Sequence, residues 1–349
     1  MKETKKELPI KPFKPTSKLL DHRYQGPVYI WDIDKTYLAT TFETWRGLIK
    51  TAFEKAHEKK NIAGTATLLR EIYKGRGENK QNPIFFISAS PPQMKKVIEK
   101  KMSLDGISYD GIVFKDNLKN IYKWKFKKIR EQVGYKLKEL LRLKSLLPQD
   151  SREYLFGDNY ENDPLIYSLY SDICSEQLSQ DELKIIFTKF KVHPEDQEDI
   201  FSLIPRLHYS DSVEKIFIHL VKKADIQTVS RFNSKIIPTF NSFQAALALY
   251  DVGLIYRNSV IHVVEDLYNH FGFSQVNIAQ SLLDSYERSI IGESTLVKLV
   301  DPLKAYDFIG PDFGISKIKT LWESLKKKII PPPPTESLPL KAFQKYMSS

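Results

Sequence analysis

The residues best placed to do chemistry are Asp32 and Asp34, spaced i, i+2, with Thr36 two positions further on. They close the run Val28-Tyr29-Ile30-Trp31, whose apolar, β-prone side chains behind Gly26-Pro27 predict a buried strand. In an extended chain residues i and i+2 share a face, so both carboxylates can address one point where the strand ends. Two acids held together repel each other unless a cation or a shared proton intervenes. The bland alternative is a strand running into an acidic turn, and Asp-x-Asp-x-Thr alone does not decide between the two.

The elements around this pattern carry the argument further. Short apolar runs predict further strands over 83–87, 111–114, 154–156 and 215–220. Helical spacing of apolar residues predicts helices over 42–57, 65–73, 94–102 and 136–147, and Pro164 suits the first turn of another through 171. Strands alternating with helices imply a mostly parallel sheet covered on both faces. Ligands of such sheets bind beyond the carboxyl ends of the strands. Ser88 follows one predicted strand, and Asp158 and Asp163 follow another, so these polar clusters converge with Asp32 and Asp34 at one end of the sheet.

The rest of the chain divides by composition. Residues 1–25 read as an extended leader in which Pro9, Pro12 and Pro15 oppose a helix. A core is expected over 26–255, with a polar insertion at about 175–211, then a helical C-terminal region over 256–330 and a Pro-rich tail over 331–349. A hydrophobic share of 42% and a charged share of 28% fit a folded, water-exposed chain and argue against disorder. No apolar run approaches the roughly 18 residues that cross a bilayer. The single Cys174 excludes an internal disulfide framework, and cytoplasmic localisation is the expectation. The net charge of +10 is concentrated between Lys115 and Lys144, where eleven Lys/Arg face three acids. Such a stretch attracts phosphates or is simply a solvated surface. Within it, Tyr122-Lys123-Trp124-Lys125-Phe126-Lys127 alternates rings and ammonium groups. That pattern fits rings capping the core, or a membrane or nucleic-acid surface.

Asp32-Ile-Asp-Lys-Thr36, Ser88, a lysine early in a helix, and Gly157-Asp158-(x)4-Asp163 resemble, in order and position, the four motifs of haloacid-dehalogenase-type (HAD) phosphatases. Ala63-Gly64-Thr-Ala-Thr-Leu-Leu, Phe85-Phe-Ile-Ser-Ala-Ser-Pro91, Phe114-Lys-Asp116 and Gly157-Asp-Asn-Tyr-Glu-Asn-Asp-Pro-Leu-Ile-Tyr167 are similar to the catalytic domain of actin-patch-type phosphatidate phosphatases. The likeness covers about 26–173 and, more loosely, 213–256. The chain departs from the family pattern at Lys35, where a second Asp is common, at Ala89 for Asn, and at Asn159-Tyr160 for Ser-Gly.

The resemblance implies an α/β fold: a Rossmann-like HAD core with a parallel sheet flanked by helices, and small cap or insertion segments at 37–82, 92–135 and 175–211. It implies Asp32 as the nucleophile forming an aspartyl-phosphate, and Asp34 as the group that protonates the leaving alcohol and then activates water. Thr36 would hold Asp34 by a hydrogen bond, and Ser88 would donate to a phosphoryl oxygen. Lys136, preferred over Lys138 because it stands at the predicted helix start, would offset the charge. Mg²⁺ would be held by the Asp32 carboxylate, the Asp34 carbonyl and Asp158, with Asp163 either a further ligand or the partner that orients Lys136. The histidines show no metal-ligand spacing, and Ser90 before Pro91-Pro92 reads as a helix-start residue. The expected substrate is a phosphomonoester, with phosphatidate or a related phospholipid at a membrane surface preferred. Soluble or nucleic-acid-borne phosphomonoesters, and a non-catalytic HAD-like binding role, are the alternatives.

Overall fold

The computed structural model describes residues 20–39, 61–76, 81–90, 94–115, 128–221, 226–314 and 342–347. Six strands, β1 (Pro27–Asp32), β2 (Ile84–Ser88), β3 (Gly111–Phe114), β4 (Arg152–Asp158), β5 (Val213–His219) and β6 (Ile236–Thr239), form one sheet in the order β3-β2-β1-β4-β5-β6. Every neighbouring pair is parallel. Strand order reverses between β1 and β4, and a crevice opens beyond the carboxyl ends of strands at such a point. Asp32 ends β1 and Asp158 ends β4, so topology alone brings the two acids to that crevice.

Along the chain the described helices are α1 (Thr65–Lys74), α2 (Lys95–Leu104), α3 (Lys128–Lys144), α4 (Asp163–Cys174), α5 (Gln180–Lys189) and α6 (Pro194–Leu203). They continue as α7 (Ile226–Ser230), α8 (Ser242–Asp251), α9 (Arg257–Phe271), α10 (Gln275–Glu287), α11 (Glu293–Ala305) and α12 (Ala342–Met347). The sheet separates two cores. Tyr29 and Trp31 point into one, with side chains from α1, α2 and α8 to α11. Val28 and Ile30 point into the other, with α3 to α6 and α12. Burial on both faces is why β1 reads as an unbroken apolar run, since a one-sided strand would alternate. Each such side chain contributes about 1.5–3 kcal/mol by leaving water.

Three local features differ from the sequence expectation. β6 was not expected, because Pro238 interrupts the run; it survives as an edge strand, where a missing N–H leaves no ladder bond unmade. The segment 175–211 contains α5 and α6, which bury Leu183, Ile186, Phe187, Ile200 and Leu203, and Ser179 and Glu182 form a reciprocal capping box at the start of α5. α3 begins at Lys128, not at Lys136, and Gly134 within it is a contact point. A Cβ there would stand 2.8 Å from both Val192 Cγ1 and Asp196 Cβ, so glycine lets α3 lie close against the start of α6. Helices α9 to α11 share the core of Trp31 and cover one face of the sheet.

Helix α12 is fastened from two sides. Lys345 Nζ lies 2.7 Å from Asp172 Oδ2 on α4, and the buried Tyr346 hydroxyl donates to the same carboxylate. Lys189 Nζ of α5 donates to the carbonyls of Tyr346 and Met347, both at 2.9 Å. No helix among the described residues is long and apolar enough to cross a membrane. The expected helix at 42–57, the Lys/aromatic run at 122–127, residues 1–19 of the expected leader over 1–25, and the prolines 331–334 lie outside the described residues.

Candidate active site

Four carboxylates and one ammonium group meet where β1 and β4 end. Leu137, Leu140 and Leu141 seat α3 on the sheet, and the adjoining face of that helix carries Lys136 into the crevice, fully buried. Its Nζ lies 2.8 Å from Asp32 Oδ1, 2.7 Å from Asp163 Oδ1 and 2.8 Å from Glu161 Oε2. Asp163 is the first residue of α4, with Pro164 fixing the first turn. Its other oxygen accepts from the Asp158 backbone N–H at 3.2 Å. Asp158 Oδ1 in turn accepts from the Glu161 N–H at 3.1 Å, closing the turn 158–163 into a compact acidic loop. Gly157 has no space for a side chain, since a Cβ there would stand 2.5 Å from Asp163 Oδ2 and 2.7 Å from Tyr167 Cε2.

The loop after β1 has its own geometry. Lys35 is left-handed at φ 61°, and the chain folds back so that the N–H groups of Tyr37 and Leu38 both bond the Ile33 carbonyl, at 3.0 and 2.9 Å. That reversal sets Thr36 over the end of β1, where its hydroxyl donates to Asp32 Oδ2 at 3.4 Å. The hydrogen bond expected from Thr36 to Asp34 is therefore replaced by one to Asp32. Asp34, half-buried, accepts from Ser88 Oγ at 3.3 Å and from Ser90 Oγ at 2.7 Å. Ser90 also donates its N–H to Ser88 Oγ at 3.0 Å. Sequence reasoning reads Ser90 as a helix-start residue, whereas its hydroxyl reaches Asp34; its i, i+2 spacing from Ser88 was the available signal. Glu161 and Tyr160 were missed. The Lys35 ammonium sits over the Tyr160 ring beside the acidic loop.

Lys138 does not enter the crevice. Its Nζ lies 2.5 Å from Asp196 and 3.2 Å from Asp199 on α6, so Lys136 alone of the two lysines meets Asp32. Arg142 pairs with Glu139 and Asp199, and Lys144 pairs with the buried Glu153. From Lys136 to Lys144 the basic stretch is thus neutralised from within. The expectation of a phosphate-attracting surface falls to residues 116–127, outside the described ones.

The electrostatics of the cluster call for more positive charge than Lys136 supplies. Burial pushes the carboxyl of Asp158 up to about 8, with Asp163 and Glu161 adding to the shift. Burial raises Asp32 and Asp163 in the same direction, and Lys136 pulls both back. Burial also disfavours charge on Lys136, but Asp163, Asp32 and Glu161 together outweigh it and hold the ammonium well above its usual range. Asp34 is raised by burial and then by Glu161, against the hydrogen bonds from Ser90 and Ser88.

Oxygen atoms of Asp32, Asp158 and Asp163 lie within 4.8 Å of one another, and Asp158 Oδ2 is buried without a hydrogen-bond partner. An acceptor-only atom left unpaired in a buried acidic cluster is what a bound cation would satisfy, and an all-oxygen donor set suits a hard divalent ion.

Residues 28–182 match the family model described as the catalytic domain of phosphatidate phosphatase APP1, within the HAD-like superfamily. The match runs from β1 into α5 and includes Asp32, Asp34, Ser88, Lys136, Asp158 and Asp163. No curated protein and no solved structure matches the chain.

Proposed function

We propose that this chain is a phosphatase that hydrolyses a phosphomonoester through an aspartyl-phosphate, with phosphatidate or a related phospholipid as its substrate. One observation carries the chemistry: Asp32 and Asp34 leave the same strand end for different environments. Asp32 faces the Lys136 ammonium at 2.8 Å, whereas Asp34 is half-buried and held by two serine hydroxyls. The family match over 28–182 supports the substrate class.

In this reading Asp32, facing the Lys136 ammonium, attacks phosphorus and forms an acyl phosphate on its own carboxylate as the bond to the leaving alcohol breaks. Asp34, whose carboxyl is raised by burial, gives its proton to that alkoxide. It then takes a proton from water, which attacks the phosphoenzyme, releases inorganic phosphate and restores Asp32. Ser88 and Ser90 hold Asp34 in place, and Thr36 orients Asp32. Asp163 and Glu161 fix Lys136, which offsets charge on the transferring group. Mg²⁺, with Asp32, Asp158 and Asp163 as the residues to hold it, would supply Lewis-acid stabilisation of the phosphoryl oxygens.

The test is phosphate release with and without Mg²⁺ from phosphatidate vesicles, a phosphorylated oligonucleotide and an aryl phosphate, comparing wild type with Asp32→Asn and Asp34→Asn. Preferred release from phosphatidate, abolished by Asp32→Asn, is the expected result. Preference for a soluble substrate would overturn the lipid assignment. No release from any of the three would remove the phosphatase.

A further inference from the structure

A second cleft opens at the same end of the sheet, on the face occupied by α1 and α8. It encloses about 320 Å³ of open space, solvent at its mouth included. Its floor is three rings from adjacent strands, with Trp31 stacked on Phe156 at 4.0 Å and Phe156 on Phe217 at 4.6 Å between centroids. Parallel register dictates this, because Trp31 pairs with Phe156 and Phe156 with Phe217 across β1, β4 and β5. The starts of α1 and α8 form the walls at Thr65, Asn241 and Ser242, and among the described residues no Lys, Arg, Asp or Glu lines the cleft. Thr36 and Gly157 belong to this lining and to the acidic site alike: Thr36 bonds Asp32, and Gly157 precedes Asp158. The two spaces are therefore contiguous.

The hydroxyl and amide donors of the wall are committed elsewhere. Thr65 Oγ1 donates to the Ile62 carbonyl at 2.7 Å, Ser242 Oγ to the Ala63 carbonyl, and Asn241 Nδ2 to Ser281 Oγ at 2.9 Å. Trp31 differs. Its ring is 2% exposed and its Nε1, which can only donate, is buried without a hydrogen-bond partner. A buried donor without an acceptor costs free energy and is uncommon in a well-packed core.

We infer that this cleft receives the leaving alcohol of the substrate, and that Trp31 Nε1 donates to a neutral acceptor oxygen on it, the ester carbonyl or hydroxyl of an acylated glycerol. This rests on the phosphatase reading above. The aromatic floor and the uncharged lining favour a neutral group over a second anion, while the phosphoryl group remains with Asp32. Trp31 is then a specificity-determining residue for the reaction, and the face of the sheet opposite Lys136 reads the alcohol.

The experiment uses the full chain with Mg²⁺ and two variants. Trp31→Phe deletes the N–H and keeps an aromatic ring on Phe156, and Ala245→Leu narrows the cleft from its wall. The substrates are dihexanoylglycerol phosphate, glycerol 3-phosphate and phenyl phosphate, the last lacking any acceptor beyond the phosphate ester. Thermal melts confirm that each variant folds. The readout is the ratio of kcat/KM for each glycerol ester to that for phenyl phosphate. A fall of about tenfold in that ratio with Trp31→Phe, the size expected for one lost hydrogen bond, supports the assignment. A parallel fall with Ala245→Leu places the alcohol in the cleft. Ratios within about twofold of wild type in both folded variants overturn the inference while leaving the phosphatase intact. Wild-type protein inert on all three substrates removes the phosphatase and the inference with it.

Discussion

Lys136 Nζ stands 2.8 Å from Asp32 Oδ1, with both side chains about 1% exposed. Each charge is tolerable there because of the other. Replacing Lys136 by Met would leave Asp32, Asp163 and Glu161 facing one another without their cation, and removing one partner of a buried pair costs about 3–5 kcal/mol. The expected outcome is a lower unfolding temperature, together with a loss of phosphate release of at least about a hundredfold. A Lys136→Met protein that releases phosphate as wild type does would remove Lys136 from the mechanism.

The unpaired Asp158 Oδ2 leads to a prediction about metal that needs no substrate. Mg²⁺ should raise the unfolding temperature of the wild type, by the equivalent of about 2.7 kcal/mol at a hundred times its Kd. Asp158→Asn should abolish most of that gain while melting near the metal-free wild type. Calorimetric titration would give the affinity directly. Equal stabilisation of both proteins would place the ion elsewhere.

Lys35 combines a backbone cost with an electrostatic role. Its φ of 61° lies in the region that costs a side-chain-bearing residue roughly 1–2 kcal/mol and glycine almost nothing. Burial lowers its pKa, with Tyr160, Asp158 and Glu161 opposing the shift. Lys35→Gly should therefore melt no lower than wild type while raising KM for an anionic substrate several-fold, by removing a cation beside the acidic loop. A melting loss with unchanged KM would show that Lys35 serves packing only.

His219, at the end of β5 in the wall of the cleft, is pushed down to about 4 by burial, from 6.5. Below pH 6.5 the unfolded chain binds a proton that the folded chain refuses. The stability tied to this group is thus complete above about 6.5 and is lost as pH falls toward 4, by about 3 kcal/mol over the whole window. Unfolding midpoints in urea measured from pH 7 to pH 4 should show that slope, and His219→Asn should flatten it.

How far the sequence predicts this arrangement depends on the residue. β1, β2, β4 and β5 are legible because burial on both faces leaves unbroken apolar runs, and their ends carry Asp32, Ser88 and Asp158. Gly134 hid the first turns of α3, since a glycine reads as a helix breaker, while here it serves the approach of α6. Pro238 hid β6 for the same kind of reason. The preference for Lys136 over Lys138 was legible in the apolar register, since Val133, Leu140 and Leu143 share the helix face of Lys136; the structure turns Lys136 toward Asp32 and Lys138 toward Asp196 on α6. The partner of Thr36 depended on the left-handed turn at Lys35, which no residue type announces.

Asp172 is 2% exposed, on the helix that begins with Asp163, and Tyr346, 174 positions later, donates to its carboxylate. A ribosome makes these residues in order. While the intervening chain is being synthesised, the nascent protein can assemble the sheet around β1 and β4, yet Asp172 must stay hydrated or protonated until its distant partners emerge. Complete burial of that carboxylate therefore waits for α12, and the helix that presents Asp163 reaches its final packing only once residue 346 has emerged.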